Sequence, residues 1–353
     1  MITDLKLAAQ SLGRWGWGAL GACVVVVALF PYLANPYIVS FALSIGMYAV
    51  LAGSWNLISG YAGYVSFGHV VYWGIGAYGA AIVMARTSLP WPVALLAGGL
   101  AAFVLAMLVA RPILRLSGVY FAIATLAIAE GTRVLISVTP LAGAGSGLSL
   151  PPVLSLQGSF YLMWAVALVC VVTTYSLRFT TFGRSVIAIR ENETAAQSLG
   201  IDATRRKVQV LGLSSVFAGL AGAIYVLNVA FIDPATAFDI TITLTTIMVT
   251  MFGGIATVLG PVVGSLAFQI PSEMLWAQFP FVHKAALGAL IVLIVLLLPK
   301  GILPALARAS SWFARRRARA AEPPGQAAED GPTAVGAPTT ARAPTADETE
   351  EER

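Results

Sequence analysis

Three groups of residues in this chain have types and spacings that could do chemistry. Residues 74 to 79, GIGAYG, put Gly74, Gly76 and Gly79 at the G-x-G-x-x-G spacing with which a strand-turn-helix unit cradles a dinucleotide. Glu130 and Arg133 stand three apart, so a helix carrying both presents them on one face, where they neutralise each other. Between residues 178 and 207 a segment mixes Arg178, Arg184, Arg190, Arg205, Arg206 and Lys207 with Glu191, Glu193 and Asp202.

What these groups can do depends on the elements that must position them. Of the 353 residues, 58% are hydrophobic and only 10% charged, against about 25% charged in a soluble domain. No acidic residue occurs between Asp4 and Glu130. This is the composition of a membrane protein. The net charge of +5 does not point to nucleic acid, because the Lys and Arg residues fall in short clusters between apolar runs, as the positive-inside rule describes. Cys23 and Cys170 lie within apolar runs, where cysteine behaves as a small buried hydrophobe, so neither a disulfide nor a metal site is implied.

A bilayer core about 30 Å thick takes roughly 20 apolar residues of helix to cross, which divides the chain into about ten spans. They fall near 16 to 34, 37 to 58, 62 to 85, 91 to 114, 118 to 138, 160 to 177, 208 to 229, 241 to 256, 258 to 276 and 283 to 299. Gly253, Gly254, Gly260, Pro261 and Gly264 interrupt the eighth and ninth. The expected fold class is all-α, a polytopic integral membrane helical bundle. Basic clusters before the first span and after the fourth, sixth and tenth put both termini on the cytoplasmic side, with Arg86 and Lys284 as exceptions. The first span is read as retained, since no small-x-small cleavage site follows it. The expected organisation is a cytoplasmic N-terminus over 1–15, a transmembrane domain over 16–301 and a basic juxtamembrane segment over 302–321. A tail over 322–353, poor in apolar residues, is expected to be disordered. Within the transmembrane domain, 139–159 is an uncharged external loop and 178–207 a cytoplasmic one.

In that setting the dinucleotide reading of Gly74, Gly76 and Gly79 fails. An apolar run of membrane length replaces the strand, and no acid follows about 20 residues on to hold a ribose. Two readings remain. The glycines let helices pack closely, with Gly76 and Ala80, like Ala77 and Ala81, at four-residue spacing. Alternatively Gly60, Gly63, Gly68 and Gly74 break the helix at a cargo path, where Tyr61, Ser66 and His69 supply polar atoms. Glu130 and Arg133 likewise form a structural ion pair or a cargo contact, and Glu273 is expected near the outer end of the ninth span.

In the charged segment, Asn192 is a suitable N-cap for a short helix through ETAAQSL, with Gly200 as its terminator. Ala195, Ala196 and Leu199 then form a small apolar face that fits a groove on a partner; the alternative is a solvated basic loop. No G-x-x-x-x-G-K-[ST] occurs in the chain to hydrolyse ATP, no H-E-x-x-H or cysteine cluster to hold a metal, and no convergent nucleophile, base and acid to act as catalytic residues.

GYAGYVSFGHVVYWGIGAYGAA, then GRSVIAIRENETAAQSLGI with FAGLAGAIYV, then MFGGIATVLGPVVGSLAF, occur in that order between about residues 40 and 301. Together they resemble the membrane permease of branched-chain amino acid ABC importers, the LivM type, close to LivH. The resemblance implies an ABC-importer permease fold in the plasma (inner) membrane, without cofactor or chemistry of its own. It also implies partners: a second, LivH-like permease, two cytoplasmic ABC ATPase subunits carrying ATP and Mg, and a periplasmic or extracytoplasmic amino-acid-binding protein. By the same resemblance Gly183, Arg184, Arg190, Glu191, Glu193, Ala195, Ala196 and Gly200 belong to the loop that docks on the ATPase. Tyr64 stands where such permeases commonly carry a polar or smaller residue. Similar permeases import urea, amides or aromatic acids, and the residues alone also allow a self-sufficient ion-coupled carrier with Glu130 and Arg133 as its relay.

Overall fold

The computed structural model describes residues 27–278 and 301–303. Most of the described residues are helical, as expected where lipid offers no partner for backbone polar groups. Helix α1 (Pro36–Trp55) runs into a π-helical turn, Asn56–Tyr61, followed by α2 (Val70–Arg86), α3 (Trp91–Ile113) and α4 (Gly118–Val138). A two-residue strand β1 (Leu148–Ser149) precedes α5 (Leu156–Leu177), the short helices α6 (Thr181–Glu191) and α7 (Glu193–Ser198), and the long α8 (Ala203–Val229). Strand β2 (Phe231–Ile232), α9 (Pro234–Ala237), α10 (Ile240–Gly253) and α11 (Gly260–Gln278) complete the described fold.

Among the described residues, six helical stretches are long and apolar enough to cross a membrane, and Val70–Arg86 is a shorter apolar helix. The expected span 62–85 is split: residues 62–69 are irregular and the helix begins at Val70. The expected span from 208 starts earlier, at Ala203, because Asp202 caps it, so Arg205, Arg206 and Lys207 are helical. The first expected span is described only from residue 27, and the tenth, with most of 302–321 and all of 322–353, lies outside the described residues.

The core forms around α8, of whose most apolar stretch 78% is buried. It packs on α2 and α3 through glycines that bring backbones together. A Cβ on Gly76 would lie 2.2 Å from the Gly219 carbonyl oxygen, and one on Gly222 would lie 2.0 Å from that of Trp73. A Cβ on Gly79 would come within 2.9 Å of Ala101 Cβ, between α2 and α3. Without a hydrophobic drive between helix and lipid, such close approach is what holds membrane helices together. Gly74 instead faces the far end of the bundle, where its added Cβ would meet the Ala237 carbonyl oxygen at 2.7 Å and the Phe238 ring.

At that end β1 pairs antiparallel with β2, Leu148 opposite Ile232 and Ser149 opposite Phe231. The uncharged loop 139–159 therefore holds a strand and the start of α5 as well as turns. Gly147 makes the approach possible: its φ is +81°, and a Cβ there would lie 2.4 Å from the Ile232 carbonyl oxygen.

Candidate functional site

The functional geometry begins where α1 stops being an α-helix. The wider π-turn at Asn56–Tyr61 is of a kind that recurs at functional sites, and here one side chain stabilises it. Asn56 Oδ1 accepts from the Ala256 backbone N–H at 2.8 Å, and its Nδ2 donates to the Thr257 carbonyl at 2.9 Å. Those residues join α10 to α11, so Asn56 ties together the two interrupted helices. Ser59 and Trp55 hold the chain beyond: Ser59 Oγ donates to the Tyr64 carbonyl at 2.9 Å, and Trp55 Nε1 to that of Ser66 at 2.8 Å.

At the same end, three caps in succession shape the charged segment. Thr180 Oγ1 accepts from the Gly183 N–H, Asn192 Oδ1 from that of Ala195, and Asp202 Oδ1 from that of Arg205, at 2.9 to 3.1 Å. Each satisfies an otherwise orphaned N–H at a helix start. Gly200, at φ +81°, lets the chain turn after α7. Gly183 is a close-approach glycine, since a Cβ there would lie 1.7 Å from the Leu177 carbonyl oxygen.

These caps bring together three side chains from distant parts of the chain. Lys207, in the first turns of α8, is only 3% exposed, and a buried ammonium needs a counter-charge. Glu193, at the start of α7, supplies it, with Oε1 at 2.5 Å from Lys207 Nζ. Tyr64 donates its hydroxyl hydrogen to Glu193 Oε2 at 2.8 Å and accepts from Lys207. Burial pushes the Glu193 carboxyl up, but hydrogen bonds from Lys207 and Tyr64 and the ammonium's charge outweigh it and hold the group below the usual carboxylate range. Burial, reinforced by the bond to Glu193, raises the Tyr64 hydroxyl. A fourth link runs parallel: Arg190, near the end of α6, donates from Nη1 to the Gly60 carbonyl at 2.8 Å, inside the π-turn. Helices α6 and α7 are thus fastened to α8 and to the break after α1. A cleft of about 520 Å³ opens beside this tie, between Gly63, Tyr64, Val119, Phe121 and Arg190.

Of the residues expected in the docking loop, Arg184, Arg190, Glu191, Ala195 and Gly200 are exposed, and Glu193 is half-buried. The expected apolar face of Ala195, Ala196 and Leu199 is divided. Ala196 is buried against Ile189 and Ala203, because the Glu193 tie turns that side of α7 inward, while Leu199 is 82% exposed.

Tyr61, Ser66 and His69 are all buried around the break. His69 Nε2 lies 2.6 Å from Ser54 Oγ. The Tyr61 hydroxyl and His69 Nδ1 have no hydrogen-bond partner among the described residues. Glu130 and Arg133 do pair, with Arg133 Nε and Nη2 each 2.8 Å from Glu130 Oε2, and both side chains are about half-exposed. Glu273 accepts a hydrogen bond from Tyr37 at the start of α1.

Sequence reasoning did not single out Lys207, Tyr64 or Asn56 as partners in the site. Asn56 carried a signal, a carboxamide within an apolar run. Lys207 carried none that distinguished it from its basic neighbours, and the turn at Gly200 puts it on a different helix from Glu193, where helical spacing cannot pair them.

A bundle of membrane-length helices, with interrupted helices joined through Asn56 and a capped, charged pair of short helices tied to them, is the architecture of a polytopic membrane permease. The chain belongs to the family described as the permease component of the branched-chain amino acid transport system, which it matches over residues 37–298. It is 26% identical over 317 residues to the high-affinity branched-chain amino acid permease proteins LivM of Salmonella typhimurium and of Escherichia coli, covering 81% of this chain and 74% of each relative. It is also 28% identical over 173 residues to the L-arabinose ABC transporter permease AraH of Azospirillum brasilense, covering 47% of this chain and 49% of that protein. No solved structure matches it.

Proposed function

We propose that this chain is the membrane subunit of an importer for branched-chain or related hydrophobic amino acids in the inner membrane, driven by ATP hydrolysed on separate subunits. In this reading both termini and the α6–α7 segment face the cytoplasm. The chain works with a second permease, two ABC ATPases and an extracytoplasmic amino-acid-binding protein. The observation that carries it is the Glu193–Lys207–Tyr64 tie. A helix pair docked on a moving ATPase needs a stiff connection to the spans, and charged hydrogen bonds at a buried ammonium provide one. Arg190 on Gly60 carries the same motion into the π-turn. The amino-acid cargo rests on the LivM relatives, and the AraH relative keeps other solutes in view.

The test is reconstitution of all subunits in proteoliposomes. Leucine uptake that requires ATP and the binding protein, and that Glu193→Arg abolishes while the permease stays inserted, supports the reading. Uptake driven by an ion gradient without ATP would point instead to a self-sufficient carrier.

A further inference from the structure

Helix α4 is at odds with its surroundings. Only 17% of its most apolar stretch is buried, and the buried side is a single stripe, Phe121, Thr125, Ala129 and Thr132. The opposite stripe, Ile123, Ala127, Glu130 and Val134, faces outward at intervals of three and four residues. Glu130 lies on that open face and pairs with Arg133 at its edge, with Arg133 40% and Glu130 50% exposed. By helical rise Glu130 sits about 12 Å from the Val138 end, well inside the depth of a bilayer core. Charged side chains at such depth face a protein interior or a water-filled cavity, not lipid.

The pair does nothing for the chain's own packing. Among the described residues each charge has only the other as partner, and Arg133 Nε and Nη2 both go to Glu130 Oε2, leaving Oε1 without a hydrogen bond. No other described part of this chain packs beside it, since none lies within 4 Å of a Cβ placed on Gly131. Apolar side chains flank the charges along the same face, Ile123 59% and Val134 54% exposed.

We propose that the outer face of α4 lines a water-bearing passage between this chain and the second permease, and that Glu130 and Arg133 take the ammonium and carboxylate of a zwitterionic amino acid passing through it. A carboxylate and a guanidinium side by side match an α-ammonium and α-carboxylate, and Ile123 and Val134 offer an aliphatic wall to the cargo's side chain. As the cargo enters, the two charges exchange each other for the two ends of the zwitterion, so no net charge is left uncompensated. Helix α4 is well placed to respond to the tie at the basic end, since Thr125 Oγ1 accepts from the Phe67 N–H at 3.1 Å, in the segment that also carries Tyr64. The inference rests on the importer reading above.

The experiment uses the complete complex in proteoliposomes, with the wild-type chain, Glu130→Gln, Arg133→Gln and Ala127→Cys. Wild-type leucine uptake reports on the importer reading itself, and the variants report on the pair. Each charge-removing variant is expected to lower the maximal uptake rate at least about tenfold, the scale of one lost charged hydrogen bond, while the second permease still co-purifies. The thiol of Ala127→Cys is expected to react with a charged, membrane-impermeant thiol reagent above the wild-type background, and more slowly while leucine is being transported. Unchanged uptake, loss of the second permease, or a thiol that does not react would each overturn the proposal, the last two by showing a dry contact or a lipid-facing surface.

Discussion

Glu193 and Lys207 meet at 2.5 Å across the junction of α7 and α8, and they meet unequally: the lysine side chain is 4% exposed, the glutamate 38%. The asymmetry fixes which partner depends on the other. Removing the carboxylate strands a buried ammonium, whereas removing the ammonium leaves a carboxylate that water and Tyr64 can still serve. Glu193→Ala should therefore destabilise the detergent-solubilised permease by about 1–3 kcal/mol, and Lys207→Met by less than about 1 kcal/mol. Thermal unfolding of both variants in one detergent checks the order.

Acid should loosen the same tie. The folded state lowers the Glu193 pKa, so the stabilisation is present in full above its ordinary value of 4.5 and is lost as pH falls below that through the lowered value. Thermal midpoints followed from pH 7 downward should show wild type and Glu193→Gln converging in the acid range and separating above it. Parallel curves throughout would remove Glu193 from the account.

The seam of small residues makes a sharper structural prediction. A Cβ at Gly76 would sit 2.2 Å from a backbone oxygen of α8, which cannot move aside without the helix, so Gly76→Ala should cost about 3 kcal/mol or more. Gly131→Ala, with open space around it, should be neutral or stabilising by up to about 1 kcal/mol. Yield of monodisperse protein and unfolding temperature distinguish the two.

Asn56 offers a test of the paired breaks. Asn56→Ala deletes one donor and one acceptor from the contact with 256–257 and leaves buried backbone groups unpaired. We expect a loss of about 2–4 kcal/mol and slower uptake, whereas Asn56→Gln, which keeps both functions on a longer arm, should recover part of each. Uptake and unfolding measured on the two variants decide it.

Much of this was legible in the sequence, because a membrane forces long apolar runs into helices. The span expected at 118–138 is α4, and that expected at 91–114 is α3 to within a residue. Asn192 and Gly200 announced α7 through local chemistry, one accepting from a nearby N–H and the other adopting a positive φ. The split of 62–85 was not legible. Its residues are as apolar as a helix, and the break is stabilised from elsewhere, by Trp55, Ser59 and Thr125. Nor could spacing show that Glu193 points inward to Lys207, since that pairing depends on how α7 docks on α8. Gly74, Gly76 and Gly79 looked alike in one dimension, yet they meet different neighbours: α9 with Phe238, α8 and α3.

The central claim is that α6 and α7 transmit ATP-driven motion through Glu193 and Lys207 into the spans. The most direct measurement compares leucine uptake and ATP hydrolysis in the same proteoliposomes for wild type, Glu193→Gln and the swapped pair Glu193→Lys with Lys207→Glu. The account predicts that Glu193→Gln keeps hydrolysing ATP while uptake per ATP falls about tenfold, and that the swapped pair regains part of it. Uptake per ATP unchanged in Glu193→Gln would contradict it.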